Sequence, residues 1–383
     1  MKMNFSWNFR KIFNSTSVAI ILVIVGCGPV SEDILSSSAA STYLYVAAGA
    51  CYSGGNTTFT NLTASNIVYR INTVNGIRDA VIADYNQSPA QVGDTPVGVV
   101  AKDLTYLYVL VENTTSVGSR RIERVERRAS GSRSMFSNNI TALSAQLRGI
   151  STLSSGDILL SKSTAIEKLS SANVRITAGA NPYVNAPGGT CITSTTLISK
   201  VLTLGNGNIV FLHAAAAQNR IGIISAAGYT AAADCKTSQA APTATAFPVA
   251  AAYDATNTTL IVAYAGNTLA TDVNSIYAYS VNETTNVISN PQKIYDASLY
   301  PVTYPYLLYG ISEMTYDSVN RSLYIATAIS TVTTVVNYAI EKFTYDFSKI
   351  GVSNTTVLTR VGSTPFYPYG IDTKCITSMF VGY

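Results

Sequence analysis

The chain has 383 residues and a formal net charge of +4, and only 12% of its residues are charged. That is about half the usual charged fraction, and the balance is too small to argue for nucleic acid as a partner. Hydrophobic residues make up 47%, with Thr, Ser, Asn, Ala and Tyr abundant, the profile of an exported β-rich protein whose strands are covered on both faces.

Residues 1–26 read as a targeting segment. Lys2, Arg10 and Lys11 form a positive n-region, and the apolar run 18–25 (VAIILVIV) follows. The run falls short of the roughly 18–20 residues that span a bilayer. It ends in Ile24, Val25, Gly26 and Cys27. These residues resemble the bacterial lipobox, in which a small residue precedes a cysteine that is acylated before cleavage. The resemblance implies a lipoprotein signal peptide and a mature chain that starts at lipid-modified Cys27. Gly28, in place of an aspartate, points to the outer membrane by the same resemblance. An ordinary signal peptide with a chance cysteine is the alternative. Residues 27–42, rich in Ser and Ala, show no periodicity and read as a flexible tether.

Residues 43–383 carry a repeat. The phrase TPVGVVAKDLTYLYVLVE at 95–112 places two apolar runs around the polar pair Lys102 and Asp103, a hairpin signal. It returns at 149–161, 201–213, 249–263, 310–326 and 370–383, at intervals of about fifty residues, the period at which propellers occur. A third apolar segment follows each hairpin, as in Ile122-Glu123-Arg124-Val125 and Ile340-Glu341-Lys342-Phe343, and a less regular fourth comes next. The expected unit is therefore a four-stranded antiparallel blade. Asp103, Asp254, Asp317 and Asp372 begin the turns between first and second strands, where an aspartate bonds its own backbone. Gly98, Gly149, Gly310 and Gly370 sit where inner strands crowd the axis.

A Gly-initiated strand, a turn and a Leu-Tyr-Val strand resemble the YVTN, NHL and lactonase-like β-propeller repeats, without a strict YVTN tetrad. The fold expected is all-β: a propeller of six blades, with seven as the alternative, closed by the C-terminal strands. Residues 43–49 look like a second strand, so their inner partner is expected at 369–372. Residues 379–383 also look like a second strand, and this keeps seven blades open.

Beyond Cys27 there are four cysteines. Cys191 and Cys235 flank one hairpin and are placed to pair within a blade. Cys51 and Cys375 would join the chain ends, but the expected strand directions set them at opposite faces. Arg120, Arg121, Arg124, Arg127, Arg128 and Arg133, interleaved with Glu123 and Glu126, read as a solvated outer strand, with an anion or lipopolysaccharide site as the alternative. The single histidine, His213, lies in an apolar strand and reads as structural. No nucleophile elbow, P-loop, zinc or calcium-loop motif occurs. The lactonase-like resemblance implies a central metal held by Glu, Asn and Asp. The inner strands offer only Glu313 and the turn aspartates, so those positions do not carry over and no cofactor is assigned.

Tyr304, Tyr306, Tyr309, Phe366, Tyr367 and Tyr369 fall in two successive loops expected to open on one face, where rigid aromatic surface suits peptide or sugar contact. The alternative is that these rings wedge neighbouring blades together. The reading is a lipid-anchored envelope module that binds or assembles protein or glycan partners without catalysis. A metal-dependent lactonase-like hydrolase and a purely structural surface lipoprotein are the alternatives.

Overall fold

Tyr43–Ala48 shows why the chain closes on itself. Successive side chains of this strand enter two different cores. Leu44, Val46 and Ala48 pack with Tyr324, Ala326 and Ile340, while Tyr45 and Ala47 pack with Val99, Leu107 and Val109. A strand buried on both faces needs a sheet on either side of its own. Repeated round the chain, that requirement is met by a ring.

The computed structural model describes residues 42–49, 51–53, 58–60, 65–87, 92–113, 115, 120–138, 140, 147–162, 165–176, 184–185, 197–214, 219–228, 234–243, 246–265, 274–296, 311–328, 338–352, 356–367 and 376–382. Thr42–Gly382 forms a compact unit of six blades, each written here from the inside outward. Blade 1 is Ile376–Gly382, Tyr43–Ala48, Ile67–Asn72 and Arg78–Asp84. Blade 2 is Asp94–Ala101, Tyr106–Asn113, Arg121–Glu126 and Arg133–Ser137, and blade 3 is Leu147–Thr152, Ile158–Lys162, Ala165–Leu169 and Arg175–Ile176, with Val184–Asn185 added on its third strand. Blade 4 is Leu197–Thr203, Ile209–Ala214, Arg220–Ile224 and Cys235–Ala240, and blade 5 is Phe247–Asp254, Thr259–Ala265, Asn274–Asn282 and Val287–Asp296. Blade 6 is Ile311–Asp317, Ser322–Ala328, Tyr338–Tyr345 and Leu358–Arg360. Among the described residues no helix is long and apolar enough to cross a membrane.

Six blades are thus present, closed by the C-terminal strand, but through a different segment from the one expected. Residues 369–372 lie outside the described residues. The inner strand of blade 1 is Ile376–Gly382, in antiparallel register from Tyr43↔Gly382 to Ala47↔Ser378. Residues expected to form a spare second strand are therefore the missing inner strand, and no seventh blade is left to fill. The physical reason is the open inner edge of Tyr43–Ala48, whose backbone donors and acceptors need a partner.

The core follows the same logic. Six hydrophobic clusters occupy the six seams, each joining one blade to the next, including blade 6 to blade 1. All six inner strands also carry a bulge at the same place. One extra residue is left out of pairing: Thr377, Val97, Arg148, Ser199, Val249 and Ser312 in blades 1 to 6. Such an insertion bends the strand and increases its twist. Where the extra residue carries a hydroxyl, it can stitch one blade to the next: Thr377 Oγ1 lies 2.9 Å from the carbonyl of Pro96, and Ser199 Oγ lies 3.1 Å from that of Pro248.

Replacing Thr377 with the near-isosteric valine should cost about 1 kcal/mol, the usual net worth of such a bond. Denaturant unfolding at constant m-value measures it; an unchanged midpoint would contradict the stitching role.

Candidate functional site

The residue after each bulge marks one level of the central channel. Going round from blade 1, these are Ser378, Gly98, Gly149, Lys200, Ala250 and Glu313. Four are Ser, Gly or Ala, and Lys200 and Glu313 are large, charged and buried. The Lys200 ammonium donates to both carboxylate oxygens of Glu313 at 2.6 and 2.5 Å. Blade 5 stands between blades 4 and 6, so the pair bridges the channel. Gly149 lies beside the lysine stem: a Cβ there would be in ordinary van der Waals contact, 3.9 Å from Lys200 Cδ. The Met314 amide donates to Glu313 Oε1 at 2.9 Å. Burial raises the carboxyl of Glu313 above its ordinary value, and the Lys200 ammonium opposes that rise.

A second set of charges lies in blade 2. Asp94, at the start of an inner strand, takes Arg121 Nη1 at 3.0 Å and Nη2 at 2.6 Å, and Asn113 Nδ2 at 2.8 Å. Glu123 takes Arg121 Nε at 2.8 Å, the Tyr85 hydroxyl of blade 1 at 3.0 Å and an ion pair with Arg133 at 3.2 Å. Glu112 pairs with Arg120 and accepts the Leu147 amide of blade 3 at 2.9 Å. The arginine cluster is therefore not the solvated outer strand expected. Arg120, Arg121 and Arg127 are buried, Arg133 nearly so, and the first two and Arg133 face carboxylates in a network joining three blades. The cause is that the blade's third strand is itself covered by its neighbours, so a charge there is retained only with a partner. Arg124 and Arg128 remain exposed, the first over the Tyr106 ring at 4.5 Å.

His213 is fully buried in the second strand of blade 4, opposite Ile198 and Arg220. The turn aspartates act on their own backbone. Asp103 accepts the amides of Thr105 and Tyr106 at 2.8 and 2.7 Å, and Asp317 those of Val319 and Asn320 at 3.0 Å. Asp254 does the same with Thr256 and Asn257. Asp372 lies outside the described residues.

Of the aromatic loop residues, Tyr304, Tyr306, Tyr309 and Tyr369 lie outside the described residues. Phe366 and Tyr367 are half-buried in the seam between blades 6 and 1. Tyr367 exchanges backbone bonds with Ile340 at 3.0 Å and meets the Tyr69 ring at 5.8 Å, while Phe366 meets the Tyr324 ring at 5.3 Å. Cys27, Cys191 and Cys375 also lie outside the described residues. Cys235 is held in a disulfide whose partner side chain is not among those described, and only the backbone of Cys51 is described.

The described residues of this channel do not fit a central metal. Its bulge level offers one carboxylate, Glu313, and that carboxylate already holds an ammonium. Asp94, the inner-strand carboxylate overlooked in the sequence, is engaged by Arg121. Among the described residues no group of three or more His, Cys, Asp or Glu is arranged to hold a metal ion.

No protein-family model matches the sequence, and no curated protein does. Among solved structures, the chain is similar to a chain of the nidogen/laminin complex, with a TM-score of 0.55 and 11% identity over 89% of this chain and 98% of that one. It is also similar to a periplasmic gluconolactonase from Pseudomonas aeruginosa, with a TM-score of 0.50 and 11% identity over 89% and 99%. At such identities the likeness is one of fold.

Replacing Lys200 with methionine leaves Glu313 buried without its partner and should cost about 3–5 kcal/mol at neutral pH. A carboxyl whose folded pKa is raised gives stability at low pH that is lost as pH rises through the folded value. Loss of the ammonium raises that value further. The deficit of Lys200→Met should therefore shrink as pH falls toward the ordinary carboxyl value of 4.5, and adding Glu313→Gln should restore most of it. Melting curves across pH check this; a deficit independent of pH would contradict it.

Proposed function

We propose that this chain is a lipid-anchored β-propeller of the bacterial cell envelope that binds or assembles protein or glycan partners without catalysing a reaction. The observation that carries the reading is the Lys200–Glu313 bridge. The carboxylate best placed for channel chemistry is engaged by an ammonium of the same chain, which leaves the loops of the two faces as the working surface. The lipobox-like residues ending at Cys27 support the anchor, and Gly28 supports the outer membrane. Tyr304, Tyr306, Tyr309 and Tyr369 are the candidate contact rings, being large, rigid and polar at the tip, together with Phe366 and Tyr367, which are half-buried in the seam between blades 6 and 1.

A metal-dependent hydrolase is the second reading, favoured by the fold likeness to a gluconolactonase. It requires Lys200 to give up Glu313. The readings part on one titration: the binding module takes up Ca²⁺ with no saturable heat and no rise in melting temperature. A stoichiometric site that raises the melting temperature would transfer the case to the hydrolase.

The anchor has its own test. An alkynyl fatty acid fed to cells should label the wild-type protein, while Cys27→Ser should go unlabelled and move to the soluble fraction. Label that survives the substitution would contradict acylation at Cys27.

A further inference from the structure

Thr42, where the described domain begins, is fixed on the face formed by the turns between first and second and between third and fourth strands. Its carbonyl accepts the Thr73 amide at 3.1 Å and the Thr73 hydroxyl at 2.7 Å. Its hydroxyl donates to Asp317 at 3.3 Å and accepts from Asn320 Nδ2 at 3.1 Å. The domain therefore starts between the 73–77 turn of blade 1 and the 318–321 turn of blade 6.

Apolar side chains stand into solvent around that point: Val74 is 80% exposed, Ile77 61%, Val319 65%, and Leu104 on blade 2 69%. Arg127 holds the Leu104 turn against blade 1 by donating to the Asp103 carbonyl at 3.1 Å and the Tyr45 hydroxyl at 3.0 Å. Arg321 is exposed two residues from Val319. A lone exposed valine needs no explanation, whereas several on adjoining turn tips mark a contact surface. Fourteen residues, 28–41, lie between Cys27 and Thr42. A random coil of that length spans about 20 Å, and a fully extended chain about 50 Å. An acylated Cys27 would thus hold this face close to the bilayer.

We propose that the turn face of blades 6, 1 and 2 docks on the phospholipid surface, with Val74, Ile77, Leu104 and Val319 entering the interface and Arg321 meeting lipid phosphate. This rests on the acylation of Cys27. Apolar tips beside a cation suit the boundary between headgroup and acyl chain.

The single tryptophan, Trp7, falls in the segment removed on lipoprotein maturation, so an introduced tryptophan reports alone. Acylated Ile77→Trp, Val319→Trp and Val92→Trp proteins are reconstituted with vesicles of phosphatidylethanolamine and phosphatidylglycerol carrying brominated acyl chains. Val92 is exposed on the opposite face. The proposal expects at least twofold stronger quenching from positions 77 and 319 than from 92, and loss of that difference in a Val74→Ser/Leu104→Ser background. Flotation with the vesicles but equal or absent quenching overturns the docking while leaving the anchor intact. Detergent-solubilised protein that sediments as a dimer, with no quenching in vesicles, assigns the patch to a second copy. Protein that neither floats nor carries acyl mass on Cys27 removes the anchor and the docking together.

Discussion

Everything in this molecule depends on sheets that are apolar on both faces. Leu44 and Val46 on one side of a strand and Tyr45 and Ala47 on the other enter separate cores, and that arrangement repeats from blade to blade. Each seam between neighbouring blades holds its own core, so each sheet depends on two neighbours, and the first needs the last. The strand Ile376–Gly382 supplies the link, pairing with Tyr43–Ala48 along nearly its whole length. Arg127 reinforces it, its guanidinium reaching Tyr45 and standing where a side chain on Gly382 would clash. A ring built this way is only as cooperative as its closing seam.

Closure sets the terms for the channel. Equivalent bulges bring six residues to one level, four of them small, and the remaining two neutralise one another. A buried ion pair of this kind is weak evidence for stability, since desolvation offsets much of the attraction. Its consequence is chemical: the carboxylate is engaged and the channel is bridged. The blade 2 network is a second case. Glu112, Asp94 and Glu123 each face arginine, and through the Tyr85 hydroxyl and the Leu147 amide they tie blades 1, 2 and 3 together. These charges hold blades in place.

Most of the fold was legible because its signals are local. An aspartate that bonds the amides two and three residues on, as Asp317 does with Val319 and Asn320, marks a turn wherever it occurs, and the apolar runs on either side mark strands. What depends on distant neighbours was not legible. Glu123 and Arg124 alternate as on a solvated strand, yet Glu123 is buried and Arg124 is exposed, because one face of that strand lies under blade 1. The fourth strand of blade 4, Cys235–Ala240, is nearly all polar (CKTSQA) and gave no periodic signal. Gly370 and Asp372 imitate the start of an inner strand, while the segment that closes the ring begins at Ile376 and carries a bulge at Thr377. The channel pair was hidden most deeply. Lys200 and Glu313 are 113 residues apart, and their shared level follows from bulges that leave no mark in composition.

Amide hydrogen exchange over the closing seam tests directly whether Ile376–Gly382 closes the ring. If the ring is closed as described, the amides of Ile376–Gly382 that bond to Tyr43–Ala48 are as protected as those of Tyr43–Ala48 and exchange together with the slowest amides of blades 2 to 6, through one global opening. Exchange of those Ile376–Gly382 amides orders of magnitude faster than the central strands, with Tyr43–Ala48 still protected, would mean that another segment closes the ring.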